Sequence, residues 1–308
     1  MDNILDHKVI SSFKEYLSYK LLQERQAYTN KTLPLYQYTP NRRFLGKQTY
    51  GSPYSQWVYD SSVSGAQVPT GVSGLSRGQS GMSIDFKNGR LIVNSGVSVS
   101  ATINVSVPDF NIYVTTTSVQ KILLEKKFLY APDLLAANQP ISPDAIVAPC
   151  IFISYVNTVN DLHSLGGVDE SKFTMQVVVF ADNMQKLLGV QRVIRDINRQ
   201  VFPIIPSTPL NELNDLKYDY WDYRMLLDYI DDPDNFLYVN KTTFRILDLD
   251  YINQEHPNII VGMGSVDLSV YRQSSIGDEG LDFPTIYQEE EIPSLYTFSD
   301  GALAEITE

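Results

Sequence analysis

Ser76 stands in Gly74-Leu75-Ser76-Arg77-Gly78, the spacing that in acyl-transfer enzymes exposes a strained serine nucleophile. That chemistry needs a strand before the serine and a helix after it. Here the motif lies in a glycine- and serine-rich stretch, 61–81, and runs into a strand-like pattern, so composition alone accounts for the match. Gly262-Met263-Gly264 follows an apolar run, as a dinucleotide loop would, but the third glycine is absent and the next residues alternate as a strand. These glycines suit a bulge or a close strand contact instead. Asp231, Asp232 and Asp234 surround Pro233, with Asp248 and Asp250 nearby, yet neither the central glycine nor the terminal glutamate of a calcium loop is in place. A turn and helix stop is the better reading. Glu289-Glu290-Glu291 reads as a solvated or partner-facing charge run.

The single cysteine, Cys150, follows Pro149 at the edge of an apolar strand with no basic neighbour in sequence, which suits a buried structural thiol. One cysteine excludes an internal disulfide framework and a multi-cysteine zinc site. His7, His163 and His256 are far apart, and His163, in a loop near Gly166-Gly167, has no nameable partner. No catalytic, cofactor-binding or metal-binding residue is therefore assigned. The chain is expected to be non-enzymatic and to carry no cofactor.

The elements that would position any site fall into four segments. In 1–81, positions 3–28 predict a helix, with Ile10, Phe13, Leu17 and Leu21 at steps of three and four. Its apolar face can pack on its own domain or on a neighbouring subunit. Residues 29–81 combine four prolines with Tyr28, Tyr36, Tyr38, Phe44, Tyr50, Tyr54, Trp57 and Tyr59 at or near them, which reads as an extended aromatic arm that docks on something. In 82–145, Met82, Ile84 and Phe86 alternate up to a tight turn at Asn88-Gly89. Val97, Val99, Ala101, Ile103, Val105 and Val107 then predict one long strand over 96–107 with a buried face. A meander or half-sandwich follows, with a short helix over 118–128 and a loop-rich connection over 132–149.

In 146–272, strands are expected over 151–156 and 173–179. Asp182 or Asn183 caps a helix running to about Val201, with Leu187, Val190, Ile194, Ile197 and Val201 on its apolar face. A short helix over 223–229, a hairpin of 236–239 with 244–247, and one or two strands over 259–270 complete it. The fold class is α+β: an N-terminal helix and a β-rich region, then a mostly antiparallel sheet covered by a long helix. The last segment, 273–308, holds nine of the acids and no Lys or Arg, so it carries −9 of the net −12 and leaves −3 on the residues before it. It also contains Leu281, Phe283, Ile286, Tyr287, Ile292, Leu295, Tyr296 and Phe298. It is solvated, or it binds along a basic partner surface, another subunit included.

Composition narrows the setting. Hydrophobic residues are 43% and charged residues 19% of 308, enough for a sizeable core. Net charge of −12 disfavours nucleic-acid binding through a general basic surface. No signal-peptide pattern and no long apolar run is present, so a cytoplasmically made protein without a membrane partner is expected, and three Asn-x-Thr/Ser triplets carry no meaning.

The run Phe173-Thr174-Met175-Gln176-Val177-Val178-Val179-Phe180, followed by the helix at 183–200, resembles the strand–strand–helix part of tail-terminator (tail-completion) proteins of tailed bacteriophages. The likeness spans 151–201 and is one of pattern. The first half does not match that family, and 82–114 would equally suit a head-closure or other neck protein. The resemblance implies a virion structural protein, a homo-oligomeric and by family analogy hexameric ring that closes the tail tube or joins it to the head. Its neighbours would be neck, tail-tube or sheath proteins. DNA would pass through a lumen whose negative charge keeps it from sticking. The rival is a receptor- or carbohydrate-binding tail or baseplate module, which the β-rich half and the 20 tyrosines allow.

Overall fold

The first helix, α1 (Asp2–Tyr19), contains no Gly or Pro and continues as a short π-helical turn, Lys20–Glu24. Its Val9, Phe13, Tyr16 and Leu17 are buried against the chain's own core. Tyr16 stacks on Phe202 at 4.2 Å between ring centroids, and Tyr19 stacks on Tyr223 at 4.5 Å. The helix thus packs on its own domain through aromatic contacts worth more than their area alone. The structure is a computed structural model. It describes residues 2–37, 46–72, 75–97, 99, 102–118, 121–123, 129–130, 146–162, 168–227, 236–248 and 259–273. The chain divides into two units, Met1–Gln273 and Ser274–Glu308, and the second lies outside the described residues.

The aromatic segment after α1 docks on its own chain. Strand β1 (Tyr28–Pro34) pairs antiparallel with β8 (Thr102–Pro108). Strands β2 (Tyr36–Gln37), β3 (Lys47–Gly51), β6 (Ser83–Asp85) and β7 (Arg90–Asn94) form a sheet in the order β2-β3-β7-β6, while β4 (Gly71–Val72) and β5 (Leu75–Ser76) make a small hairpin. Trp57 is buried in the core these strands share with Leu33, Ile84, Phe86, Leu91, Ile103 and Val105. A division at 81/82 would run through this sheet, because β3 lies on one side of it and β7 on the other.

Two local expectations change here. The 96–107 strand begins only at Thr102: Gly96 turns the chain with φ +86°, and Val97 and Val99 pack against the same core from outside any strand. Ile103, Val105 and Val107 are buried as the alternation requires, and Leu33 pairs with Ile103. The β6–β7 turn is wider than two residues, since Asp85 pairs with Arg90, and of the two turn residues only Gly89 has a positive φ. Asn88 instead donates its backbone and side-chain N–H groups to the Asp85 carboxylate.

The larger sheet has the order β14-β15-β16-β13-β12-β9. It comprises β9 (Asn111–Thr115), β12 (Cys150–Leu162), β13 (Val168–Ala181), β14 (Val201–Pro203), β15 (Phe236–Leu247) and β16 (Ile260–Gln273). Every pairing is antiparallel except β9 with β12. A two-residue parallel bridge, β10 (Leu129–Tyr130) with β11 (Val147–Ala148), lies in the connection between those two. Helix α2 (Met184–Asp196) starts at Asn183, whose side chain accepts from the Lys186 N–H at 2.8 Å, a standard N-cap. A third helix, α3 (Arg224–Leu227), is a single turn. Phe173, Met175, Val177 and Val179 of β13 face α1 and α2, while Val178 and Phe180 join a second core with Cys150, Phe152 and Val261 on the other face. The fold is α+β, with a mostly antiparallel sheet under its helices.

Helix α2 ends earlier than its apolar spacing suggests. Arg199 turns left-handed with φ +63° and its N–H bonds to Val239 at 2.9 Å, which carries Val201 into β14, where it is 45% exposed. The expected 236–239/244–247 hairpin is one strand: the polar Asn240-Lys241-Thr242-Thr243 run absorbs a bulge at Asn240 and stays paired with β16. Gly262 lies where a Cβ would stand 2.4 Å from the Phe244 ring and 2.8 Å from Leu187 of α2, so these glycines permit close packing. The 118–128 helix and the 132–149 connection fall largely outside the described residues.

Candidate functional site

A cleft of about 280 Å³ opens between α1, the segment 56–60 and the loop 208–214. Helix α1 turns Phe13 and Leu17 into the core, which places Lys14 and Glu15 toward segment 56–60. There Tyr59 donates its hydroxyl proton to the Glu15 carboxylate, with Oη 2.8 and 2.7 Å from its two oxygens. Lys14 Nζ lies 2.7 Å from both Tyr59 Oη and Glu15 Oε1. A lysine beside a tyrosine can make a proton-transfer pair if the tyrosine is acidified. Here burial, then the Glu15 charge and hydrogen bond, push the Tyr59 hydroxyl well above its ordinary value. Tyr59 therefore remains a donor, and the three groups satisfy one another. Their work is to tie α1 to segment 56–60.

Next to them, Asp60 is buried and accepts from the Ser62 N–H at 2.8 Å and the Tyr223 N–H at 3.4 Å. Burial outweighs these bonds and, with the charge of Asp222, raises its carboxyl to about 6. An acid whose folded value lies above its unfolded one binds more protons when folded. Its contribution is thus complete below the unfolded value near 4 and lost as pH rises through about 6. The expected loss across this window is on the order of 3 kcal/mol. Asp60→Asn keeps a carbonyl for both N–H donors, so its melting temperature should vary less between about pH 4 and pH 7 than the parent's. Parallel pH profiles for the two proteins would show that Asp60 is not raised.

The motif residues are scattered. Ser76 is exposed on β5, followed by only a 3₁₀ turn at Gln79–Gly81. Gly262 and Gly264 lie mid-strand in β16. Cys150 is buried, and burial pushes its thiol well up. His163, His256, Asp231, Asp232, Asp234, Asp250 and the Glu289-Glu290-Glu291 run lie outside the described residues; Asp248 immediately follows β15. Among the described residues no group of three or more His, Cys, Asp or Glu could hold a metal ion, and no helix is long and apolar enough to cross a membrane.

Sequence reading missed the Lys14–Glu15–Tyr59 cluster and Asp60. The partners are 44 residues apart, of common types, and fit no spacing rule. It also missed the loop around Tyr218 and Tyr220, which are 73% and 56% exposed. The loop's backbone is held by Arg77, which donates to the Tyr218 carbonyl and pairs with Asp215 at 3.4 Å, and by Ser61, which donates to the Trp221 carbonyl at 2.6 Å. No protein-family model matches the chain, and no curated protein matches it.

Proposed function

We propose that this chain is a non-enzymatic structural subunit of a tailed-bacteriophage virion. It works as a ring, hexameric by family analogy, at the neck or tail end, joining head to tail or completing the tail. The supporting observation is the β12–β13–α2 unit. Two long strands pair antiparallel and lead directly into a capped helix that packs back on β13, β15 and β16, the arrangement on which the likeness to tail terminators rests. The cleft fits this reading, since Lys14, Glu15 and Tyr59 within it are engaged with each other. The acidic segment 274–308 would bind a neighbouring chain, charge steering it and its apolar residues holding it.

Solution mass and negative-stain images test the proposal. The full chain is expected to form sixfold rings or tube ends, and truncation after Gln273 is expected to weaken assembly; assembly of the intact chain should itself weaken as salt rises, because screening acts over about 8 Å at physiological ionic strength. Truncated protein that assembles like the parent would make the tail a passive extension. The displayed Tyr218 and Tyr220 favour a second reading, glycan binding by stacking on exposed rings. A monomer retained on a carbohydrate column would support it over the ring.

A further inference from the structure

Among the described residues, the six-stranded sheet ends in two open stretches of backbone. Strand β12 is 13 residues long, yet β9 pairs with it only at positions 150–154. After the bulge at Val156 its outer edge, 157–162, has no strand beside it among the described residues. At the opposite side of the same sheet, β14 covers only positions 236–238 of β15, and Val239 bonds to Arg199 and Gln200. From Lys241 to Leu247 the outer edge of β15 is again without a neighbour among the described residues.

An open edge presents a row of N–H and C=O groups ready to accept another strand, and monomeric proteins blunt such edges. These two have a flanking bulge and a few charged residues as their only such devices. Neither contains a proline, and both carry exposed apolar side chains: Val156 at 49% and Val159 at 45% on β12, Ile246 at 43% on β15. Their formal charges are opposite. Lys241 and Arg245 are the charged residues of the β15 stretch, and Asp161 is that of the β12 stretch. Pairing β15 with β15 across a two-fold axis would bring positive residues together, whereas β12 against β15 brings opposite signs together. The edges are of similar length and lie on opposite sides of one sheet, so each can be filled by the other from a second copy.

We propose that copies of this chain assemble head to tail, the open β12 edge of one pairing with the open β15 edge of the next to continue the sheet between subunits. Such a contact is heterologous, and it closes into a ring where the rotation per copy allows. This deepens the ring-subunit reading and rests on it for closure, naming the surface and its occupant.

Cysteine cross-linking of the full chain tests it, with the buried Cys150 giving little background. Thr243→Cys is combined in turn with Asn157→Cys and with Asn160→Cys, each also made singly. A double variant is expected to give a ladder of covalent oligomers on mild oxidation, up to the ring's full count. Equimolar mixtures of single variants should stop at dimers, and each single variant alone should remain uncross-linked. Val159→Lys is expected to release monomers with an unchanged melting curve. Rings that form in the parent, give no ladder from either double variant and persist in Val159→Lys overturn the β12–β15 contact while leaving the ring reading intact. Dimers from Thr243→Cys alone overturn it in favour of a two-fold contact. A parent protein that is monomeric by mass overturns both.

Discussion

Ile103→Asp should yield no soluble protein, while Asn104→Asp, one position along the same strand, should express and melt like the parent. Ile103 is 4% exposed, its cross-strand partner is Leu33 at 2%, and Val105 at 0% follows on the same face. A carboxylate placed there has apolar neighbours within the shared core. The loss combines about 1.5–3 kcal/mol of isoleucine burial with the cost of desolvating an unpaired polar group. The sum, roughly 5 kcal/mol, approaches the whole stability of an ordinary domain. Asn104 points to the other face, is exposed, and accepts from the Thr32 hydroxyl at 2.7 Å, a bond that a carboxylate also accepts. The comparison therefore holds strand, charge and neighbourhood fixed and changes only the face. Expression yield and thermal melting read it; equal behaviour of the two variants would show that β8 has no buried face at Ile103.

The second large effect is expected at Gly89. Its φ is +60°, and an added Cβ would stand 2.0 Å from the Tyr54 carbonyl oxygen and 3.1 Å from Trp57 Nε1. No side-chain rotation relieves a clash with backbone. The segment 52–57 would have to move, breaking the 3.2 Å bond from the Ser52 N–H to the Gly89 carbonyl and shifting Trp57, which is 2% exposed. Gly96 provides the control, since its φ is +86° but nothing lies within 4 Å of its Cβ position. Gly96→Ala should cost about 1 kcal/mol, the left-handed backbone penalty alone. Gly89→Ala should cost about 3 kcal/mol or more, because overpacking adds to that penalty. Urea denaturation midpoints compare them, and equal shifts would mean that the close approach of Tyr54 is not maintained.

Local spacing along the chain fixes the faces of the regular elements. Phe13 and Leu17 on α1, Leu187, Val190 and Ile194 on α2, and the alternation from Phe173 to Val179 are buried as their spacing requires, and the Asn183 cap is in place. Each of these is a local property, since helix and strand periods decide which side chains share a surface. Which surfaces meet is settled by packing in the folded chain. The aromatic arm reads equally as an intramolecular or an intermolecular element until β1 is seen to pair with β8, and β3 with β7. The polar run at Asn240 reads as a turn until β16 is present to hold it as a bulged strand. Arg199 ends α2 not through its own propensity but through a bond to Val239. The Lys14–Glu15–Tyr59 cluster and the two open sheet edges likewise arise from chain segments brought together or left apart in space. Local spacing carries no record of such meetings, because they are set by packing energies summed over residues distant in the chain.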